Sequence, residues 1–127
     1  MLPAAVHKKI NALREIVRKE ILQVLEEVDV LVLPTSPIVA PKIPVKKGME
    51  STQEMIDSFG GRRQFTSPFN LANVPAMSVC CGFSDAGMPV GMQIVSKPFA
   101  EQTIFDVAYA YESATDWHKM RPDLDTL

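Results

Sequence analysis

The chain has 127 residues, of which 13 are basic and 15 acidic, giving a formal net charge of -2, and 46% are hydrophobic. This length is typical of one domain with a single core, so we expect one domain spanning residues 1–127. The near-neutral charge argues against nucleic acid or an anionic membrane as a partner. No apolar run approaches the length of a membrane span, and His7, Lys8 and Lys9 come too early for a signal peptide. We therefore expect a cytoplasmic protein.

The first element is predicted to be an amphipathic helix from Pro3 to about Glu27. Its apolar residues recur every three or four positions, as one face of a helix requires. They are Val6, Ile10, Leu13, Val17, Ile21, Val24 and Val28. The same periodicity places Arg14, Glu15, Arg18 and Lys19 on the wetter side.

A short strand and a proline-rich segment follow the helix. Val30 to Leu33 is short and wholly apolar, which predicts a buried strand that ends at Pro34. Residues 34–48 contain four prolines and are expected to form either an ordered loop or a mobile flap. A weak helical pattern from Ser51 to Phe59 comes next, closed by two glycines.

The stretch from Thr66 to Pro75 combines the signals for a helix start, about one helical turn and a stop. Ser67 is predicted to cap the helix, and Pro68 suits its first position. Asn73 tolerates the left-handed conformation that ends such a turn. We expect positive φ at Asn73.

Two apolar runs then predict a β-hairpin. Residues 76–83 and 90–95 flank a turn at residues 84–89, where Gly87 is available for positive φ. Gly82 and Gly91 leave room for another backbone or a ligand to come close. The adjacent residues Cys80 and Cys81 point to opposite faces of a strand, so we expect reduced thiols with no catalytic role.

The last predicted element is a helix preceded by Ala100. Ile104, Val107, Ala108, Tyr111 and His118 are expected to share its buried face. Ala100 occupies the cap position without a side-chain oxygen, which costs about 1 kcal/mol.

Four segments of this chain resemble the carboxy-terminal part of the amidase signature family, the serine amidases that include the glutamyl-tRNA amidotransferase A subunit. They are Asn70–Ala76, Gly87–Ile94, Asp29–Pro37 and Ala108–His118. The resemblance implies an α/β fold in which the hairpin and the Val30 strand share one mixed sheet. Members of the family are several times longer, so the resemblance also implies a fragment whose partner is the missing amino-terminal portion. The sequence departs from the family pattern at Asn73, where glycine is usual, and at Cys80, where proline is common.

The resemblance implies amide hydrolysis by a serine nucleophile that a lysine activates through a second serine. No serine in this chain has a lysine three residues later, and no glycine- and serine-rich loop is present to hold an oxyanion. We therefore predict no catalytic residue here and an inactive chain on its own. We also expect no cofactor and no metal, because His7 and His118 lack a second ligand at suitable spacing.

Four polar residues are candidates for the wall of a substrate pocket. Thr35 and Ser36 follow the carboxyl end of a strand, where open α/β sheets place ligands; the alternative is that they satisfy nearby backbone. Asn70 matches an asparagine of the family motif, and its amide could instead fasten a loop. Gln93 is a polar residue in an apolar strand, which favours a structural amide network over a site role.

The function predicted from these features is to complete the sheet and pocket wall of an amidase that acts on a small amide. Two alternatives stay open: a free-standing, non-catalytic binding module, and a part of the tRNA-dependent amidotransferase A subunit. An incomplete sheet exposes strand edges, so we also expect the isolated chain to self-associate.

Overall fold

The computed structural model describes residues 3–41 and 64–122. Its elements are α1 (Ala4–Glu27), β1 (Val30–Pro34), α2 (Ser67–Ala72), β2 (Ala76–Phe83), β3 (Pro89–Ser96), α3 (Glu101–Ala114) and a 3₁₀ helix (Trp117–Lys119). The predicted α/β class is confirmed. The helix expected at Ser51–Phe59 and the later part of the loop at 34–48 lie outside the described residues. In the part described, no helix combines the length and the apolar character needed to cross a membrane.

The three strands form one sheet in the order β1-β3-β2, and both neighbouring pairs are antiparallel. The sheet expected to be mixed is therefore purely antiparallel among the described strands. The β2–β3 hairpin imposes one antiparallel pair, and β1 aligns on the other side of β3 with Val32 opposite Ile94. β3 is thus the central strand, and it takes part in every strand pair described.

Side chains from alternate positions of β3 enter two separate cores. Val95 is fully buried with Leu25, Phe69, Ala72 and Val74, on the face covered by α1 and α2. Ile94 is fully buried with Val79, Ile104 and Ala108, on the face covered by α3. Successive residues of a strand point to opposite faces, which explains the division. The sheet is the middle layer between helices on both sides.

The predicted helix at the amino terminus is confirmed, but the side that it buries is not the predicted one. Leu25, which is absent from the predicted apolar stripe, is fully buried, with Ile21 and Leu22 packed beside it. Most of the stripe is exposed: Val6 (41%), Ile10 (45%), Leu13 (54%), Val24 (48%) and Val28 (41%). The reason is that α1 packs on the core through a face adjacent to the predicted stripe, the face that carries Leu25 and Leu22.

Two arginines expected on the wetter side of α1 instead hold the end of α2. Arg14 donates from Nε to the carbonyl oxygen of Leu71 at 2.9 Å. Arg18 donates to the carbonyls of Ala72 and Asn73. A helix of six residues is unstable alone, and cationic donors at its carboxyl end satisfy carbonyls that lack a helical partner.

The ends of α2 are close to the prediction. Thr66, not Ser67, occupies the cap position, and it makes no side-chain capping bond, while a proline lies in the first turn as expected. Asn73 has φ 53 and ψ 51, and its N–H donates to the carbonyl of Asn70. The left-handed end of the turn is therefore confirmed.

β1 is less buried than predicted. It includes Pro34, and the side chain of Val32 is 54% exposed. α3 packs over β3 and β2, so on that face of β1 only Val30 reaches the core around Ile94. The expectation of a buried strand was wrong because β1 is an outer strand among those described.

The predicted hairpin is confirmed, with Gly87 at φ 75. The N–H of Gly87 donates to the carbonyl of Ser84 at 2.8 Å and closes the turn. The register shifts between Cys80 and Gly82, which marks a β-bulge. Gly82 has φ 151 and open space where a Cβ would stand. Its role is therefore backbone conformation at the bulge, and the close approach predicted there is wrong.

α3 ends at Ala114, so His118 does not share its face as predicted. Thr115 adopts an extended conformation, and its hydroxyl donates to the carbonyl of Tyr111 at 3.0 Å, which closes the helix. His118 lies in the following 3₁₀ helix. At the other end Ala100 is the cap residue, without a side-chain bond, as predicted.

The left-handed Asn73 generates a stability prediction. Asn73→Gly should be neutral or stabilising, because glycine adopts this conformation without a steric penalty. Asn73→Val should lose about 1 to 2 kcal/mol, because a β-branched residue is strained there. Urea unfolding of both variants measures the difference, with Asn11→Val on an exposed turn of α1 as the control. Equal unfolding midpoints for the two Asn73 variants would contradict the assignment.

Candidate functional site

Two hydroxyl groups from the outer strands meet across the central strand of the sheet. Thr35 directly follows β1, and its N–H donates to the carbonyl of Gly91 in β3 at 2.9 Å. Its Oγ1 lies 2.6 Å from Oγ of Ser78 in β2, so the two hydroxyls share a hydrogen bond. We call this contact the hydroxyl bridge. It links β1 to β2, which have no backbone pairing with each other.

The hydroxyl bridge requires a residue without a side chain in β3. Outer strands on either side of a central strand are about 10 Å apart, so their side chains meet only if the middle position is empty. A Cβ built on Gly91 would lie 2.8 Å from Oγ of Ser78 and 2.9 Å from Oγ1 of Thr35. A close approach was predicted at Gly91, but two side-chain hydroxyls make it and not another backbone or a ligand.

A cavity of about 430 Å³ opens beside the hydroxyl bridge. Its lining consists of residues 35–41, Ser78 and residues 89–91. Ser36 fixes the loop that forms one side, because its Oγ donates to the carbonyl of Ile38 at 2.7 Å and accepts from the N–H of the same residue at 3.3 Å. The structure thus brings Thr35 and Ser36 to one cavity, as two of the four candidates.

The described lining of this cavity can form hydrogen bonds and apolar contacts. Apart from three hydroxyl groups, its described lining consists of proline, aliphatic and glycine residues, with no ionisable side chain among them. A general base needs a group that takes up a proton near neutral pH, and hydroxyls do not do so unaided. The hydroxyls can still donate and accept hydrogen bonds with a polar group of a ligand.

Gln93 lies on the same face of the sheet but serves a different contact. It pairs with Ser78 across the hairpin and is 4% exposed. Its Nε2 donates to the carbonyl of Phe65 at 2.8 Å. The side chain therefore fastens the segment before α2 to the sheet, which agrees with the structural amide favoured by the sequence. Gln93 does not line the cavity beside the hydroxyl bridge.

Asn70 is separated from the other candidates. It is exposed on α2 and lines a second, shallow cavity of about 490 Å³ with Arg14, Thr66, Ser67 and Leu71. It shares no cavity with Thr35 or Ser36 in the described part of the chain. A substrate contact by Asn70 stays a prediction.

Ser78 was not among the site residues predicted from the sequence. The signal was present, since Ser78 is a polar residue at an alternate position of an apolar strand, in the same way as Gln93. Its partner Thr35 is 43 residues away in the chain. Only the pairing of β1 and β2 with β3 brings the two hydroxyls together. The register of that pairing could not be predicted from the sequence.

Two other groups of reactive or charged side chains lie outside this cavity. Cys80 and Cys81 are free and half-buried, and the thiol of Cys81 makes a weak contact with the carbonyl of Val90 at 3.5 Å. A hydrogen bond and the positive charge of Lys119 hold the pKa of Asp116 below its ordinary value. That pair is exposed and lies at the two ends of the 3₁₀ helix. It does not line the cavity beside the hydroxyl bridge.

Comparison with known proteins places these features in a family context. Residues 3–105 match the family model described as Amidase. The chain is 42% identical over 120 residues to the glutamyl-tRNA(Gln) amidotransferase A subunit of Gloeothece citriformis, covering 94% of this chain and 24% of that protein. It is 44% identical over 120 residues to the corresponding protein of Geobacillus thermodenitrificans, again covering 94% of this chain and 23% of that one. The chain spans about a quarter of the length of these curated relatives.

Solved structures share the fold. The glutamyl-tRNA(Gln) amidotransferase A subunit of Thermotoga maritima superposes with a TM-score of 0.67 at 34% identity, covering 80% of this chain and 21% of that one. A 6-aminohexanoate cyclic dimer hydrolase complexed with its substrate superposes with a TM-score of 0.71 at 30% identity, covering 95% of this chain and 26% of that one. The match to the second structure extends over nearly all of this chain.

The empty position in β3 generates a prediction for Gly91. Gly91→Ala should destabilise the fold by about 1 to 3 kcal/mol, because the added methyl group meets both hydroxyls of the bridge. In a Ser78→Ala background the same change should cost clearly less, since one of the two contacts is gone. A double-mutant cycle by urea unfolding measures this coupling. Additive effects of the two changes would show that the hydroxyl bridge does not cross Gly91.

Proposed function

The chain belongs to the amidase family, and we propose that it completes the sheet and forms one wall of the substrate pocket in an amide-hydrolysing enzyme. The observation that carries this proposal is the cavity beside the hydroxyl bridge. It lies within the residues that match the family model. Two of the pocket residues expected from the sequence, Thr35 and Ser36, line it together.

In this proposal the catalytic groups come from another part of a longer amidase. The family resemblance implies a lysine, two serines and backbone amides around the oxyanion, and the 127 residues contain no serine with a lysine three positions on. A pocket wall without nucleophile and oxyanion hole binds but accelerates little. The proposed partner is therefore an amidase portion that precedes the sequence in this chain.

The wall fits the neutral part of an amide substrate. Its described lining combines aliphatic and proline side chains with hydroxyls and carries no charge. Apolar walls with a few placed polar groups bind small organic ligands through buried area and orient them through hydrogen bonds. Thr35 and Ser78 are proposed to orient the substrate, and residues 37–41 to exclude water from it.

A second candidate is the A subunit of a glutamyl-tRNA(Gln) amidotransferase. Its support is the identity of 42% and 44% to two such proteins. Glutamine carries an α-ammonium and an α-carboxylate, and recognition of both needs charged partners. The described lining of the cavity carries no charge, so in an amidotransferase these partners come from the other portion of the protein, whereas a neutral amide needs no charged group from this wall. A free-standing binding module remains the alternative of another class, and it needs no second portion at all.

We predict that the chain alone hydrolyses no small aliphatic or aryl amide above background and takes no label from a serine-directed fluorophosphonate. Mixing it with an upstream amidase portion should produce turnover. Amide hydrolysis followed by product chromatography, with mass spectrometry for the label, measures both. The proposal would be wrong if the chain alone turned over such an amide and lost this activity in Ser36→Ala or Ser67→Ala, because a nucleophile would then be present in the chain.

Ligand binding to the chain alone distinguishes the two candidate functions, amidase and amidotransferase. An aliphatic amide should shift the backbone amide resonances of Thr35, Ser78 and Gly91, whereas glutamine at the same concentration should shift them less. Thr35→Val with Ser78→Ala should abolish the shifts, and Ser113→Ala, an exposed hydroxyl on α3, should leave them unchanged. A larger response to glutamine would favour the amidotransferase assignment. Shifts confined to other residues would exclude the pocket-wall assignment.

A further inference from the structure

The loop that follows β1 presents two exposed aliphatic side chains beside the hydroxyl bridge. Ile38 is 52% exposed and Val39 is 40% exposed, and both line the cavity that opens at the bridge. Neither side chain belongs to the two cores on the faces of the sheet. Exposed aliphatic groups next to a few placed polar groups are the usual composition of a small-molecule pocket.

The backbone of this loop is restricted at several positions. The proline ring fixes φ at Pro37 and Pro41, and the residue before each proline is confined largely to extended conformations. Ser36 adds two hydrogen bonds to Ile38, because its Oγ donates to the carbonyl at 2.7 Å and accepts from the N–H at 3.3 Å. The aliphatic side chains are therefore carried on a preorganised loop, and binding a ligand costs little entropy for ordering it.

These hydrogen bonds give Ser36 a different role from Thr35. A serine hydroxyl has one proton to donate, and the proton of Ser36 is directed to the carbonyl of Ile38. Thr35 instead shares its hydrogen bond with Ser78, where either oxygen can be the donor. Ser36 thus has no free proton for a substrate, and it affects the cavity through the position of Ile38.

The occupant that fits this arrangement has a polar head and an alkyl chain. The polar head meets the hydroxyl bridge, and a chain attached to it reaches Ile38 and Val39, which follow Thr35 by only three and four residues. The described lining contains aliphatic and proline groups but no aromatic ring. It offers contact area for methylene groups and no partner for ring stacking.

We propose that this site takes amides with a linear alkyl chain, that Ile38 and Val39 determine the preferred chain length, and that Ser36 is a positioning residue that acts through Ile38. This assignment rests on the proposed function, in which an amide group meets the hydroxyl bridge. It adds which part of the substrate the wall distinguishes. Thr35 and Ser78 contact the amide group whatever chain it carries, and the loop discriminates between chains.

A series of primary amides from acetamide to hexanamide tests the assignment on the 127-residue chain. Dissociation constants come from titrations followed by the backbone amide resonances of Ile38 and Gly91. Each added methylene should tighten binding about twofold, since a methylene fully removed from water gives about fourfold and this open wall buries it in part.

Alanine variants locate the contact with the chain. Ile38→Ala and Val39→Ala should each remove most of the gain per methylene, while acetamide binding stays within about twofold of the original. Ile10→Ala and Val32→Ala are the matched controls, because they make the same substitutions at residues that are 45% and 54% exposed and lie outside the cavity. Both controls should keep the full gain.

Ser36→Ala and Ser36→Thr test the positioning role. Ser36→Ala removes both hydrogen bonds to Ile38, so we expect it to lose most of the gain with chain length, as Ile38→Ala does. Ser36→Thr keeps a hydroxyl group and should retain the gain. A role in stability alone would lower the urea midpoint of Ser36→Ala without changing the ratio of hexanamide to acetamide affinity, and that result would overturn the positioning role.

The failure of this assignment and the failure of the proposed function give different results. If acetamide shifts the resonance of Gly91 but longer chains bind no more tightly, the chain-length assignment is wrong and the proposed pocket wall is unaffected. A gain that persists in both Ile38→Ala and Val39→Ala also overturns it, because the alkyl chain then lies elsewhere. If no amide shifts Thr35, Ser78 or Gly91, the proposed function is wrong, and the assignment fails with it.

Discussion

The described structure depends on the burial of one strand. Residues Gln93, Ile94, Val95 and Ser96 of β3 are all buried, and the strand pairs on both edges and packs on both faces. A central strand has neighbours on both edges and both faces. If any one of them shifts, the strand loses its register or its packing with the others. The packing of α1 and α2 on one face and α3 on the other is therefore set by which β3 side chains point each way.

The two faces are held differently. On the α3 face the contact is mainly apolar, centred on Ile94. On the opposite face polar anchors add to the apolar core: Arg14 and Arg18 hold the carboxyl end of α2, and Gln93 holds the segment before it. Each donor meets a carbonyl that lacks a partner within a helix or strand. A segment too short to be stable by itself is thereby ordered against α1 and the sheet.

The sequence predicted what depends on neighbouring residues. The turn at Asn73, the glycine turn at Gly87, the hairpin and the uncapped start of α3 follow from local chemistry, and the structure agrees. Contacts between segments that are distant in the sequence could not be predicted in this way. The pairing of Thr35 with Ser78, the face that α1 buries around Leu25 and the exposure of Val32 all depend on which strands and helices become neighbours. Of the four candidate pocket residues, the two adjacent in sequence share a cavity, and the other two do not.

The hydroxyl bridge has a property that a charged pair would lack. Either oxygen can be the donor, so the shared hydrogen bond can run from Thr35 to Ser78 or in reverse, at little cost in energy. In one direction the free proton projects from β2, in the other from the end of β1, and the unused lone pairs exchange places with it. Such a pair of hydroxyls can therefore either donate or accept a hydrogen bond. It can face a carbonyl or an N–H group without any movement of the backbone. Recognition would then depend on the shape of residues 37–41 more than on the polarity of the group presented to the sheet.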